Sequence, residues 1–277
     1  MDNRPHRVAD DPGLHFVKDP QPAIDAPPDG DIDPAPEALW PPAAVRSGIG
    51  GAVTPNVVSW PGGGYRMYYT QILPRPGFPA GANDYDQSTT RILSAWSGDG
   101  AVWTPEPGVR LTPQAGGAGE YRVVSPEVVP VPGDSGRWRM YFECCAGPQA
   151  AESTLRSAVS EDGFNWEKRP LHQVEFEGST ENNIVAPESW LAFKGGIFID
   201  SREEDPEKRF KAMARVTREG GDVGDRDVSD PECDHSDTRF VWNLYHSGDA
   251  FDWTPHEKNP VIDLPDAMWG PTGMMGW

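Results

Sequence analysis

A seven-residue pattern occurs three times in this chain and restricts its fold more than any other feature. The pattern is Ser-x-Asp-Gly-x-x-Trp, with Ala in place of Gly in the last copy, and its copies end at Trp103, Trp166 and Trp253. Two short runs rich in Val, Tyr, Phe and Ile precede each copy, as expected for antiparallel strands separated by turns. A small β unit that recurs with insertions in its loops predicts a propeller or another β array.

The repeat divides the chain into an N-terminal segment and a series of sheets, or blades. Residues 1–46, rich in Pro, Asp and Ala, are interpreted as an extended arm. Blades are predicted at about 47–113, 121–170 and 196–262, and the start of a fourth at 266–277. Three blades and one strand cannot close a ring of four or more blades. The open alternatives are a fragment, a chain completed by a partner chain, and an open array of sheets.

The charge of the chain argues against two classes of partner. The formal net charge is −19 and the sequence pI is about 4.6. Nucleic acid and anionic membrane surfaces are disfavoured, because phosphate binding needs clustered Lys and Arg. No apolar run approaches the roughly 20 residues that span a bilayer. The first residues lack the apolar stretch of a signal peptide, so the expectation is a cytoplasmic location or a chain that has already been trimmed.

Neither a metal nor a cofactor is predicted. The chain has three Cys residues, of which two are adjacent, and this is no disulfide framework. No Cys or His pair has the spacing of a zinc site. The acidic insertion at 219–237 could offer carboxylates to calcium, but its spacing matches no EF-hand and favours a solvated loop. No phosphate loop or dinucleotide fingerprint occurs, and the sequence leaves the oligomeric state open.

Two carboxylates are predicted to face the central funnel, where the innermost strands of a propeller lie. When the blades are aligned on the Met of the second strand, Glu127 and Asp200 each lie thirteen residues before that Met, and Asn56 takes the corresponding place in the first blade. Glycoside hydrolysis needs two carboxylates at one cavity, one to protonate the leaving oxygen and one to activate water or attack the sugar. Glu127 and Asp200 are therefore the candidate catalytic pair. The competing interpretations are an edge ion pair for Glu127 and a turn cap for Asp200.

Further residues are candidates for the same site. Glu188 is a third catalytic candidate, because Pro187-Glu188 echoes Pro126-Glu127. Glu143 ends a second strand and could turn toward the funnel mouth, and Trp60 and Tyr69 could offer an aromatic face to a sugar ring; with Asn56 these are the predicted substrate-binding residues. The favoured alternative for Glu143 is a surface or cross-strand carboxylate, and packing between blades is the alternative for each aromatic side chain. The Asp of each repeated turn is expected to accept backbone N–H groups and to have a structural role.

The chain resembles the five-bladed β-propeller glycosidases, the superfamily that holds glycoside hydrolase families 32, 43 and 130. The resemblance is carried by Ser125-Pro126-Glu127-Val128, by Arg-Met-Tyr at 66–68 and 139–141, and by the three repeated turns. A bacterial glycosyl hydrolase branch has a pattern similar to that at 174–185. The resemblance implies an incomplete all-β propeller of the five-bladed type. It also implies a carbohydrate substrate and hydrolysis, or phosphorolysis, of a glycosidic bond.

The sequence departs from those families at the expected site. In them the first blade supplies an Asp as base or nucleophile, the second an Asp that tunes the site, and the third a Glu as acid. Here the first position is Asn56, which cannot act as a base, and the second and third are Glu127 and Asp200. A non-catalytic carbohydrate-binding propeller is therefore the main alternative function. A sialidase-like or phosphorylase variant and a scaffold with an unused funnel are the others.

Overall fold

The chain forms small antiparallel sheets. The computed structural model describes residues 20–24, 52–74, 88–113, 120, 122–131, 137–145, 153–186, 196–217 and 240–262. These residues contain twelve strands and one short 3-10 helix, and no α-helix. The prediction of an all-β chain is confirmed. The predicted fourth blade at 266–277 lies outside the described residues.

Each sheet has four strands in the order of the chain. The first sheet contains β1 (Ala52–Ser59), β2 (Tyr65–Pro74), β3 (Ser88–Ser97) and β4 (Thr104–Pro105). The second contains β5 (Arg122–Pro130), β6 (Trp138–Cys145), β7 (Ser153–Ser160) and β8 (Ile184–Ala186). The third contains β9 (Ile197–Ile199), β10 (Phe210–Thr217), β11 (Phe240–Ser247) and β12 (Thr254–Pro255), with the 3-10 helix at Pro206–Lys208 between β9 and β10. This order is the meander of a propeller blade.

The outer edge of the second sheet extends further along the chain than the repeat predicts. Glu167 forms a bridge with Val159, as β4 does at the corresponding place in the first sheet, and the edge resumes only at β8. The residues between them, 168–183, form an insertion within the outer edge. The second sheet therefore reaches residue 186, although the sequence interpretation ended its blade near 170.

The repeated turns at 97–103, 160–166 and 247–253, here called the Asp turns, have one hydrogen-bond scheme. In the second copy Asp162 Oδ1 accepts the N–H groups of Phe164 and Asn165, both at 2.8 Å, and Ser160 Oγ accepts the N–H of Gly163 at 2.8 Å. The other two copies repeat these contacts around Asp99 and Asp249. The expected structural role of these Asp residues is confirmed.

The second strand of each of the first two sheets holds the Asp turn of the next sheet. Arg66 and Tyr68 donate to the carbonyl oxygens of Asp162 and Gly163, at 3.2 and 3.0 Å. In the same way Arg139 donates to the Asp249 carbonyl at 3.0 Å, and Tyr141 donates to that of Ala250. The Arg-Met-Tyr sequences are therefore an inter-sheet clasp. The third sheet has Lys211 and Met213 at these positions, so it lacks the Arg and Tyr donors.

Apolar side chains fill the spaces between neighbouring sheets. The cluster between the first and second sheets includes Tyr68, Ile92, Val128, Met140 and Phe142. The cluster between the second and third sheets includes Val129, Tyr141, Leu155, Phe210 and Ala212. On the other face of the first sheet, Ile24 of the N-terminal segment packs against the cluster of Met67, Tyr69, Leu93 and Ala95. Alternation of side chains along each strand lets one sheet pack on both faces.

Candidate active site

The register of the sheets defines equivalent positions on the three inner strands, β1, β5 and β9. The Ser that begins each Asp turn pairs with Tyr65, Trp138 and Phe210 in turn. Three residues further along the second strand, each sheet has a residue that pairs with the inner strand. These pairs are Tyr68 with Asn56, Tyr141 with Glu127, and Met213 with Gly196. Asn56 and Glu127 are therefore equivalent, as predicted, and Gly196 holds this position in the third sheet.

A β-bulge lies just before each of the two polar residues. In the first sheet the register shifts between Val53 and Asn56, and in the second between Val124 and Glu127. The bulges contain Thr54 and Ser125, each followed by Pro, with φ of +49° and +54°. Bulges change the direction of the side chains that follow them and occur often beside active sites. The Thr-Pro-Asn and Ser-Pro-Glu sequences thus have the same local structure.

Glu127 makes contacts with both neighbouring sheets. Asn56 Nδ2 donates to Glu127 Oε2 at 2.6 Å, and Asn56 Oδ1 accepts the N–H of Val128 at 3.0 Å. On the other side the Glu127 carboxylate accepts the N–H of Ile197. Gly196 leaves the space beside the carboxylate open, since a Cβ built there would lie 3.7 Å from Glu127 Oε1. The three inner strands therefore meet at this carboxyl group.

The surroundings of Glu127 stabilise its protonated form. Burial raises the pKa of Glu127 to about 7, against the lowering effect of the Ile197 N–H. The side chain nevertheless keeps part of its surface accessible. A carboxyl group that holds its proton near neutral pH and remains accessible can serve as a general acid.

Asp200 lies at the other end of its strand from Gly196. The loop that joins β9 to β10, residues 200–209, includes the 3-10 helix and is three residues longer than the loop at 131–137. Met213 also lies one position further along its strand than the Met of the second sheet does. Counting back from it therefore reaches the turn, four residues beyond Gly196 on the inner strand. Asp200 Oδ1 accepts the N–H of Arg202 at 3.0 Å. This is the contact expected if Asp200 caps a turn, the alternative to a catalytic role. Four residues of strand separate it from Gly196 by about 13 Å.

Two predicted substrate contacts lie within packed regions. The Trp60 ring stacks on Trp138 with centroids 4.5 Å apart, and the Arg66 guanidinium lies 3.9 Å from its centroid. Trp60 therefore packs between sheets, as the alternative to a substrate contact predicted. It lies at the same end of the sheet as the Asp turns. Tyr69 is only 1% exposed, inside the cluster that contacts Ile24, and this burial raises its pKa to about 12. Its side chain has no surface for a ligand.

The strand register places Glu143 closer to Glu127 than it places Asp200. Glu127 pairs with Tyr141, and Glu143 is two residues further along β6, so all three side chains share one face of the sheet. Diagonal neighbours of this kind lie about 7–8 Å apart, within reach of long side chains. Glu143 is partly accessible. Glu188 lies outside the described residues.

Several residues at this site were not predicted. Thr70, Gly196 and Ile197 each contact Asn56, Glu127 or the bulges before them. The repeated Ser/Thr-Pro dipeptide before Asn56 and Glu127 is the sequence signal for the bulges. The backbone N–H of Ile197 and the missing side chain of Gly196 leave no such signal, because they act through the backbone alone.

The described residues also form a cavity at one end of the sheets. A cavity of about 450 Å³ lies at the Asp-turn end between the first two sheets, lined by residues that include Arg110, Arg137, Phe164, Trp166 and Arg169. It contains none of the predicted site residues. Within the described ranges, no group of three or more His, Cys, Asp or Glu residues could hold a metal ion. The same ranges contain no helix with the length and hydropathy to cross a membrane.

The fold and the site define an all-β chain of blade-like sheets with a buried carboxyl group where the inner strands meet. No protein-family model and no curated protein matches the sequence. Among solved structures, the chain is similar to the family 117 glycoside hydrolase Zg3597 of Zobellia galactanivorans, with 15% identity over 76% of this chain and 57% of that one and a TM-score of 0.48.

Other similar structures also carry glycosidase names. A glycosyl hydrolase of Bacteroides ovatus has 15% identity over 75% of this chain and 49% of that one, with a TM-score of 0.39. A third is described with the GH130 family of mannoside phosphorylases, which contains glycoside hydrolases that target β-1,2 mannosidic linkages in Candida mannan. It has 14% identity over 75% of this chain and 49% of that one, with a TM-score of 0.40. This chain spans about half the length of these three structures.

Proposed function

We propose that this chain carries the acid-base site of an enzyme that hydrolyses a glycosidic bond, with Glu127 as the general acid. The observation that carries the proposal is the environment of Glu127, which is partly buried, accepts hydrogen bonds from two neighbouring sheets and has a pKa raised to about 7. Cleavage of a glycosidic bond requires a proton for the leaving oxygen, and a carboxylic acid with a raised pKa supplies it. The substrate is a carbohydrate.

A second carboxylate has to activate water or attack the anomeric carbon. Glu143 fits this requirement better than Asp200, because it shares a sheet face with Glu127 as a diagonal neighbour on the adjacent strand. Asp200, in its turn, is the less favoured candidate.

The test compares leaving groups on two variants. Wild-type protein is assayed against a panel of aryl glycosides, and Glu127→Gln is then assayed with a poor and a highly activated leaving group. A general acid is needed only for the poor one, so Glu127→Gln should lose about 10²–10⁴-fold on that substrate and little on the activated one. Glu143→Gln should lose activity on both. Absence of wild-type activity on every glycoside, or equal losses for both leaving groups in Glu127→Gln, would refute the proposal.

A carbohydrate-binding role without catalysis is the second candidate. It is favoured by Asn56, which places an amide and no carboxylate beside Glu127 on the first inner strand. Under this alternative, saccharides bind saturably to wild type and to Glu127→Gln, and neither protein releases an aryl group. Isothermal titration of both proteins with the sugars of the same panel separates the two functions.

A further inference from the structure

Thr70 contacts both of the bulges that precede the polar pair. It lies on β2, its residue is fully buried, and its Oγ1 is 2.9 Å from Thr54 Oγ1. The same oxygen accepts the N–H of Ser125, in the next sheet, at 3.1 Å. Thr54 and Ser125 precede Asn56 and Glu127 by two residues each. One hydroxyl group therefore joins the two backbone segments that carry the site.

Both bulges are in a strained backbone conformation. Thr54 and Ser125 have φ of +49° and +54°. This region is unfavourable for residues other than Gly, most of all for a β-branched residue such as Thr. A conformation of this kind persists only where the surrounding contacts hold it. The buried contacts of Thr70 are such contacts.

The bulges also decide where Asn56 and Glu127 point. Two residues of β1, Thr54 and Pro55, lie opposite one residue of β2 between the pairs Val53–Thr70 and Asn56–Tyr68. Loss of the extra residue from the register would move the following side chain to the other face of the sheet. The 2.6 Å contact between Asn56 and Glu127 therefore depends on both bulges being in place.

We propose that Thr70 is a positioning residue, whose hydroxyl holds the two bulges so that the amide of Asn56 and the carboxyl of Glu127 meet. Its influence on catalysis rests on the function proposed for Glu127, whereas its influence on the geometry of the pair does not. When the hydroxyl is removed, the Ser125 N–H loses its acceptor and the bulges relax. Asn56 then moves away from Glu127, which loses a donor that favours its ionised form.

The test uses two variants that each remove one buried hydroxyl between the same two sheets. Thr70→Val keeps the shape of the side chain without the hydroxyl. Thr90→Val is the matched control, because Thr90 is also buried and its Oγ1 exchanges hydrogen bonds of 2.7 and 2.8 Å with the backbone of Val123. The readout is the titration of the Glu127 carboxyl carbon by ¹³C NMR, with its signal identified by its loss in Glu127→Gln. Activity is measured in parallel.

Thr70→Val should raise the midpoint of the Glu127 titration by about half a pH unit or more. Its kcat should fall about tenfold with little change in KM, since misplacement of a catalytic group lowers the rate of the chemical step. Thr70→Ser, which keeps the hydroxyl, should titrate as wild type. Thr90→Val should lower the unfolding temperature and leave the Glu127 midpoint unchanged. An unchanged midpoint in Thr70→Val, or equal shifts in both Val variants, would overturn the proposal.

The same data separate the two proposals. A shifted midpoint in Thr70→Val together with an inactive wild type supports the positioning role and refutes the glycosidase function. An active wild type together with an unshifted midpoint in Thr70→Val supports the glycosidase function and refutes the positioning role. Should Thr70→Val not fold, Thr54→Ala is the second probe, because Ala lacks the hydroxyl that contacts Thr70 and keeps the steric cost of φ near +49°. It should shift the midpoint in the same direction.

Discussion

The side-chain amide of Asn56 donates a 2.6 Å hydrogen bond to the carboxyl group of Glu127, and this contact joins the inner strands of two neighbouring sheets. The two residues are also equivalent in the repeat. Each accepts a backbone N–H from the next inner strand, Asn56 from Val128 and Glu127 from Ile197. Asn56 and Glu127 thus each connect one inner strand to the next, and of the two only Glu127 is a titratable acid.

Replacement of the amide by a second acid should change the titration of this link. In Asn56→Asp two carboxyl groups would lie at the present hydrogen-bond distance, where both cannot be ionised together. They should titrate as a pair, with one midpoint clearly above that of Glu127 in wild type. A ¹³C titration of both carboxyl carbons measures this. Asn56→Ala, which adds no charge, is the control, and two independent midpoints in Asn56→Asp would contradict the hydrogen-bonded geometry.

The raised pKa of Glu127 makes stability depend on pH. Its folded-state pKa of about 7 lies above the ordinary value of 4.5, so the protonated side chain favours the folded state. That contribution is complete below about pH 4.5 and is lost as the pH rises through 7. It corresponds to about 3 kcal/mol of unfolding free energy. Urea unfolding of wild type and Glu127→Gln between pH 4.5 and 8.5 should show this loss in wild type only. Parallel pH profiles would contradict it.

The sequence predicted the sheets because their signals are local. The strands of Val, Tyr and Phe and the Asp turns need only neighbouring residues, and each Asp turn forms within its own seven residues. Glu127 was located for a similar reason, since Ser-Pro-Glu sits in one strand of normal length. The predicted second blade ended too early, near residue 170. An insertion separates the two parts of the sheet's outer edge, at Glu167 and Ile184, and no signal in the sequence shows that the edge resumes after it.

The site was less accessible to sequence reasoning, because its contacts join distant parts of the chain. Asp200 was placed by counting residues back from Met213, but the β9–β10 loop has three extra residues and Met213 is shifted by one position in its strand, so the count ended in a turn. Trp60 and Tyr69 have the chemistry of sugar contacts, but packing between sheets and against Ile24 uses the same aromatic surface. Residue type alone cannot distinguish these uses.

The inter-sheet clasp should make a measurable contribution to stability. Tyr68 donates from a fully buried position to the Gly163 carbonyl, which also accepts the indole N–H of Trp166. Tyr68→Phe should therefore lower the free energy of unfolding by about 1 kcal/mol, since the carbonyl keeps one donor. Tyr65→Phe, at a side chain that is 37% exposed, should change it by less than about 0.5 kcal/mol. Chemical denaturation of the two variants measures both. Equal effects would contradict the clasp.

Gly163 should tolerate substitution much less well than a glycine that also has a positive φ but has empty space where a Cβ would lie. Its φ is +73°, and a Cβ at this position would lie 2.3 Å from Trp60 Cη2 and 2.6 Å from Arg66 Nη1. Gly163→Ala combines the left-handed backbone with overpacking and should cost about 2–4 kcal/mol of unfolding free energy. Gly62→Ala is the matched control, because Gly62 has φ of +91° and no atom within 4 Å of an added Cβ. It should cost only about 1–2 kcal/mol.

The third Asp turn gives an internal reference for this prediction. Ala250 occupies the position of Gly163 with φ of +64° and is buried. The second sheet has Val131 at the position of Trp60, so no indole ring of that strand opposes the Ala250 methyl group. The indole ring of Trp60, and not the turn itself, therefore requires Gly at 163. Urea denaturation of Gly163→Ala, Gly62→Ala and Ala250→Gly compares the three positions. Similar losses in the first two variants would show that the backbone angle alone sets the cost.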